Sequence, residues 1–202
     1  ASQRRVKREI AASQRRVRNP RVSRMRVVAP RNPPNRRRRP RLQGYKVRLL
    51  VQRVSKAEVE VRDTTVGRIG PGLVLFMAVG LGDTLEDVRY LADKVINLRI
   101  FPDEEGRLSR SALGMGMELL VVSQFTLYAD VRRGRRPNFS QAALPKDAEP
   151  LFISMVESLR ATGLVVATGQ FAAHMTVAVH NDGPVTIILD SHDRFRSRGQ
   201  RS

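Results

Sequence analysis

Hydrophobic and polar positions follow two periods along the chain. Residues 47–54 read as a strand, with Gln52 and Arg53 near its end, and 58–62 alternate charged residues with valine, as a half-buried strand does. Gly67, Gly70, Pro71 and Gly72 supply turns, and the unbroken apolar run 73–79 suits a central strand. From Leu85 the period changes. Leu85, Val88, Leu91, Val95 and Leu98 recur at three- and four-residue steps, which predicts an amphipathic helix over about 85–97, capped by Asp83 or Thr84. A short strand (98–101) and an acidic turn (103–106) follow, and strand character returns over 118–127. Pro150 and Gly163 bracket a second helix whose buried stripe is Phe152, Met155, Val156 and Leu159. Strands at 164–167, 175–179 and 185–189 close the pattern. Strands interleaved with two main helices predict a single compact α/β domain.

Composition changes this picture mainly at the ends. The 202 residues carry a formal charge of +18, but residues 1–46 hold 17 Lys+Arg and one acid, and 192–202 hold four Arg and one Asp. The intervening 47–191 has 16 bases and 17 acids, a net −1, so any general attraction to polyanions resides first in the tails. Residues 1–45 combine arginine runs with Pro30, Pro33, Pro34 and Pro40, and bury too little apolar surface to offset chain entropy. They read as a disordered basic extension: a polyanion-binding arm, an organelle transit peptide or a non-native leader. The domain is expected over 46–191, with a short basic tail over 192–202. The chain has no cysteine, which excludes disulfide and thiolate chemistry and argues against zinc. Its apolar runs are far shorter than a membrane span of about 20 residues, and no apolar signal core starts the chain, so a cytoplasmic protein is expected.

Two strand ends carry the candidate chemistry. The apolar strand 119–122 ends in Ser123-Gln124-Phe125-Thr126-Leu127, a polar pair whose side chains and freed backbone N–H groups need partners. The other is Asn181-Asp182-Gly183-Pro184-Val185-Thr186. Here Gly183 permits backbone angles closed to other residues, while Pro184 fixes φ and makes a cis bond inexpensive. Such a step presents rigid carbonyls and almost no side chain. Between them, residues 132–136 form an Arg-rich loop hinged at Gly134, the one basic cluster inside the near-neutral domain and a candidate phosphate contact. A Ser-His-acid triad is not supported, because Gly-x-Ser-x-Gly is absent around Ser123 and no histidine is placed beside it.

Read together, the two motifs resemble the paired signatures of the D-aminoacyl-tRNA deacylases, the D-Tyr-tRNA deacylase family. Val51-Gln52-Arg53-Val54, Asn97-Leu98-Arg99-Ile100-Phe101 and Gly134-Arg135-Arg136-Pro137-Asn138-Phe139 are similar as well. The resemblance covers about 46–191; both tails lie outside it, and His174 stands before Met175 where the family usually has an acid. It implies a mixed, strongly curved sheet and a homodimer. It also implies hydrolysis of the ester between a D-amino acid and the terminal adenosine of tRNA, and of glycine mischarged on alanine tRNA, without metal or cofactor. Ser123, Gln124, Phe125 and Thr126 would line the adenosine and ester site. Gly183 and Pro184 would enter the partner's site in the cis form and hold the substrate amino group. Arg53 would steady that loop, with Met175 and Asn181 in support. The attacking group stays open between Thr126 and a water assisted by the adenosine's own 2′-hydroxyl, the second being preferred since no acid or base adjoins Thr126. The alternative reading is a nucleic-acid binder that acts through its Arg-rich tails.

Overall fold

The computed structural model describes residues 46–195. The expected disorder of 1–45 and the tail from 196 onward fall outside the described residues. Of the basic tail expected over 192–202, residues 192–195 lie in a 3₁₀ helix, Ser191–Phe195.

The organising element is β1 (Arg48–Val61), one 14-residue strand where the sequence predicted two. Val51, Val54, Ala57 and Val59 are buried along it, but the side that is buried changes in mid-strand because the strand bends. Register shifts against β8 (Thr176–Asp190) at Gln52/Val54 and Val54/Lys56 mark that bend. One edge of β1 pairs with β8; the other pairs first with β3 (Gly72–Ala78) and then with β2 (Thr64–Ile69), all antiparallel. β3 continues in parallel to β6 (Glu118–Ser123), and β6 to β7 (Val166–Thr168). The sheet order β2-β1-β3-β6-β7 nearly closes on itself. Gly67 of β2 lies so close to β7 that a Cβ there would sit 2.6 Å from the Thr168 carbonyl oxygen, so only glycine permits the approach.

Helices α1 (Leu85–Ile96) and α3 (Pro145–Arg160) cover one face of the sheet. Val88, Leu91 and Val95 pack there with Leu73, Leu75, Met77, Leu119, Val121, Phe152 and Met155. The opposite, inner face holds a smaller cluster of Val54, Ala57, Val59, Ile69, Val74, Leu120 and Val122. A hairpin of β4 (Arg99–Pro102) and β5 (Leu108–Ser111), followed by the single turn α2 (Ala112–Met115), stands beside the main sheet. The strands β2 and β5 were not expected, and α3 begins at Pro145 rather than at Pro150. Pro145 occupies the first helical turn, where a missing N–H costs nothing, and Pro150 sits on the exposed side, where water satisfies the carbonyl it leaves unbonded. No helix among the described residues is long and apolar enough to cross a membrane.

Candidate active site

Strand β6 stops at Ser123, and the chain turns at once into a 3₁₀ helix, Phe125–Tyr128, where strand had been expected to 127. The Gln124 N–H donates to the Met77 carbonyl (2.7 Å), which fixes the exit from the sheet. Leu127 N–H reaches back to the Gln124 carbonyl (3.2 Å) and closes the turn. As the opening residues of that turn, Phe125 and Thr126 have N–H groups with no acceptor inside it. The Gln124 amide donates to the Thr126 hydroxyl. Tyr128 anchors the turn: its ring is buried against the Arg48 guanidinium, its hydroxyl donates to the Lys46 carbonyl, and burial pushes its ionisation up. Arg48 also donates to the Leu127 carbonyl (3.2 Å).

Phe125 is 55% exposed, a large apolar residue left open at the strand end. Among the described residues its aromatic neighbour is Phe139, edge to face at 5.0 Å between centroids. Phe139 follows the basic loop, which is closed at its base by reciprocal backbone bonds between Asp130 and Asn138 (2.8 and 2.9 Å). Arg132 folds onto Asp130 (2.6 Å) and holds that carboxyl below the usual carboxylate range. Arg133, Arg135 and Arg136 are exposed and make no ion pair among the described residues. The aromatic pair thus joins the strand-end motif to a loop with three exposed arginines.

The second motif is a bulge in β8. Asn181 pairs with Val54 and Thr186 with Gln52, so the four residues 182–185 stand opposite the single residue Arg53. Asn181 staples the bulge, its side-chain oxygen accepting from Val185 N–H (3.1 Å) and its amide donating to the Thr186 hydroxyl (3.3 Å). The Gly183-Pro184 peptide is cis, and Gly183 has φ +118°. Arg53, 7% exposed, donates to the Asp182 carbonyl (3.3 Å), pairs with the Asp182 carboxylate (3.0 Å) and donates to the Ile100 carbonyl of β4 (2.6 Å). Gly183 and Pro184 themselves stay exposed.

The structure thus brings the predicted residues into two groups. Arg53, Asn181, Gly183 and Pro184 form one; Ser123, Gln124, Phe125 and Thr126 form the other, with Met175 packed against the inner cluster in which Val122 immediately precedes Ser123. Within the chain the groups are far apart. Ser123 pairs with Met77 and Met77 with Leu49, whereas the bulge faces Arg53. Four residues along β1 amount to about 13 Å, and the three strand spacings from β8 to β6 add about 14 Å crosswise. Phe139 is visible in the sequence as the aromatic close to the basic loop, whereas the hairpin carbonyl of Ile100, a backbone acceptor, leaves no side-chain signal there. None of the three histidines hydrogen-bonds to Thr126; His180 pairs with Lys56 beyond the bulge, and His174 is exposed. Among the described residues no group of three or more His, Asp or Glu is arranged to hold a metal.

The sequence pattern that defines the family described as D-Tyr-tRNA(Tyr) deacylase matches residues 50–190, which include both motif groups. The chain belongs to that family. A D-aminoacyl-tRNA deacylase of Dehalococcoides mccartyi is 54% identical over 152 residues, 75% of this chain and 99% of the relative. One from a Roseiflexus species is 58% identical over 145 residues, 72% of this chain and 94% of the relative. Among solved structures, one named "c-Myc DNA Unwinding Element Binding Protein" superposes with a TM-score of 0.66 at 39% identity, covering 70% of this chain and 97% of its own. Another, described as "a probable eukaryotic D-amino acid tRNA deacylase", shares the fold with a TM-score of 0.63 at 19% identity, covering 72% and 100%. Both tails lie outside the family match.

Proposed function

We propose that this deacylase-family protein hydrolyses the ester joining a D-amino acid to the terminal adenosine of tRNA, and glycine mischarged on alanine tRNA, as a cytoplasmic homodimer. The observation that carries the reading is the separation of the two motif groups within one subunit. The exposed Gly183-Pro184 bulge is too far from its own Ser123–Thr126 turn to share a site with it, so a second copy supplies the missing half of each site. The α-amino group of the substrate lies against the carbonyls of Gly183 and Pro184 from the partner. An L-residue held the same way aims its side chain into that backbone and is excluded by steric clash. Glycine, with no side chain, is admitted.

The ester and its adenosine lie against Ser123, Gln124 and the exposed Phe125 ring. The open N–H groups of Phe125 and Thr126 face the oxygen that becomes negative as water adds, and each such donor contributes typically about 3–4 kcal/mol to barrier lowering. Thr126 has its hydroxyl engaged by Gln124 and no base beside it, so it orients and the adenosine 2′-hydroxyl assists the attacking water. Arg133, Arg135 and Arg136 contact phosphates of the 3′ strand. The reading of the chain as chiefly a nucleic-acid binder through its tails is not favoured, because the family match spans the near-neutral domain and leaves the tails out. Deacylation of matched D- and L-aminoacyl-tRNA tests the proposal. D-selective turnover supports it, and salt-sensitive RNA binding with no turnover of either ester contradicts it.

A further inference from the structure

A cavity of about 670 Å³ opens on the β4–β5 hairpin, away from both motif groups' own residues. Arg99 of β4 and Ser109, Arg110 and Ser111 of β5 line it, over Gly114 and Met115 of α2. Arg99 is exposed and makes no ion pair among the described residues. Among the described residues Arg110 pairs with Glu104 alone (3.2 Å), whose side chain is 92% exposed, and a pair so solvated exchanges readily for another anion. The hairpin's other acids are engaged elsewhere: Asp103 accepts from Arg107 N–H, Ser109 and the Arg107 side chain, and Glu105 pairs with Arg107. Ser111 accepts from Gly114 N–H (3.1 Å), which leaves its hydroxyl proton to donate into the cavity. Two guanidinium groups and a hydroxyl around one hollow match the acceptor oxygens of a phosphodiester.

The cavity's position gives that chemistry a substrate. Arg99 adjoins Ile100, whose carbonyl holds the Arg53 guanidinium that in turn holds Asp182 beside Gly183. We infer that the Arg99–Arg110 cavity of the subunit lending its Gly-Pro loop binds the RNA phosphodiester backbone just inside the terminal adenosine that is being read in the partner's site. The inference rests on the proposed deacylase reading. Each active site then draws on the second subunit twice, for the chiral gauge and for a grip on the nucleotides leading to it. This grip lies on a different element from the basic loop of residues 132–136, which belongs to the subunit whose strand end holds the ester.

The test compares two substrates in the full-length protein: D-aminoacyl-tRNA, and the matching D-aminoacyl-adenosine, which has no phosphodiester to grip. The double variant Arg99→Ala/Arg110→Ala is expected to lose roughly ten-fold in kcat/KM on the tRNA. The log–log salt dependence of kcat/KM flattens by about 1.4, or about 0.7 for each single-strand phosphate that is no longer neutralised. Turnover of the adenosine ester stays within about two-fold by the same argument. Arg99→Lys/Arg110→Lys keeps the charges and recovers most of the salt dependence. Unchanged tRNA kinetics and salt slope in a folded alanine variant overturn the inference, and so does an equal fall on both substrates, which would make the hairpin a support for the Gly-Pro loop only. If the unsubstituted protein turns over neither ester, the deacylase reading itself fails.

Discussion

The Arg53 guanidinium occupies the space that a side chain at Gly183 would need: a Cβ there would lie 2.8 Å from Arg53 Nη2 and 3.0 Å from Val185 Cγ2. The two residues face each other across the β1–β8 ladder, one nearly buried and one exposed, so the arginine is at once the prop of the bulge and the reason its tip stays bare.

Gly183→Ala therefore meets a clash and a φ of +118° together. A non-glycine residue held in such a region costs about 1–3 kcal/mol, and the bulge is expected to shift to relieve it. The expected result is a roughly ten- to hundred-fold loss in D-aminoacyl-tRNA turnover in a protein that still folds, with a melting temperature lowered by no more than a few degrees. Turnover assays beside thermal melting check this, and full activity in the alanine variant would contradict it.

Arg53→Lys keeps a charge but loses the fork that serves Asp182 and Ile100 together. Leaving the buried Ile100 acceptor without its donor costs about 1–3 kcal/mol of stability. The lysine variant is expected to melt several degrees lower and to discriminate D from L esters less sharply, as its loop is held at fewer points. A variant that melts lower with an unchanged D/L ratio would reduce Arg53 to a purely structural residue.

Thr126→Ala is expected to keep most of the activity, because the hydroxyl has Gln124 for a neighbour and no base. A D-aminoacyl-tRNA ending in 2′-deoxyadenosine with its 3′-hydroxyl esterified is expected to be a poor substrate for the parent protein. An acyl-enzyme trapped on Thr126, or a kinetic burst that disappears in the variant, would reverse the assignment.

Asp83 provides a pH dependence unrelated to the chemistry. One carboxyl oxygen accepts from Gly80 N–H (2.7 Å), and the other is buried without a partner. Burial pushes its ionisation up to about 7, with Asp87 and Asp190 adding to the rise and the Gly80 N–H and Lys46 opposing it. The folded state therefore holds a proton that the unfolded chain has already released near pH 4, and folding stability falls as pH rises from about 4 to about 7. Melting temperatures at pH 5 and pH 8 are expected to differ in the parent and to converge in Asp83→Asn. A slope that survives the substitution would exclude Asp83 as its source.

The sequence revealed elements where one physical signal dominated. Helix α1 followed from its apolar spacing, and the buried strands 73–79 and 119–122 from their unbroken runs. The first motif stands out in the sequence because polar groups at the end of a buried strand demand partners, and the second because a Gly-Pro step bares its backbone carbonyls. Other features depended on tertiary contacts. β2 carries Gly67 in mid-strand and reads as a turn; only the approach of Thr168 explains that glycine. β1 looked like two strands because its buried side changes at the bend around residues 54–57. Pro150 was read as a helix start because an interior proline usually breaks a helix, and its exposed position is not visible in one dimension. The separation of the two motifs could not be read at all, since it is set by strand order and register.

That separation is the centre of the account, and a mixed dimer tests it most directly. One subunit carries Gly183→Ala with an intact strand end; the other carries Gln124→Ala/Phe125→Ala with an intact bulge. Each homodimer is expected to be strongly impaired on D-aminoacyl-tRNA. If every site combines the strand end of one copy with the bulge of the other, the purified mixed dimer contains one wholly intact site and recovers about half the parent rate per dimer, because a two-fold interface pairs each patch with its complement in the other copy. A mixed dimer as impaired as the two homodimers would show that each subunit uses its own bulge, and would contradict the composite site.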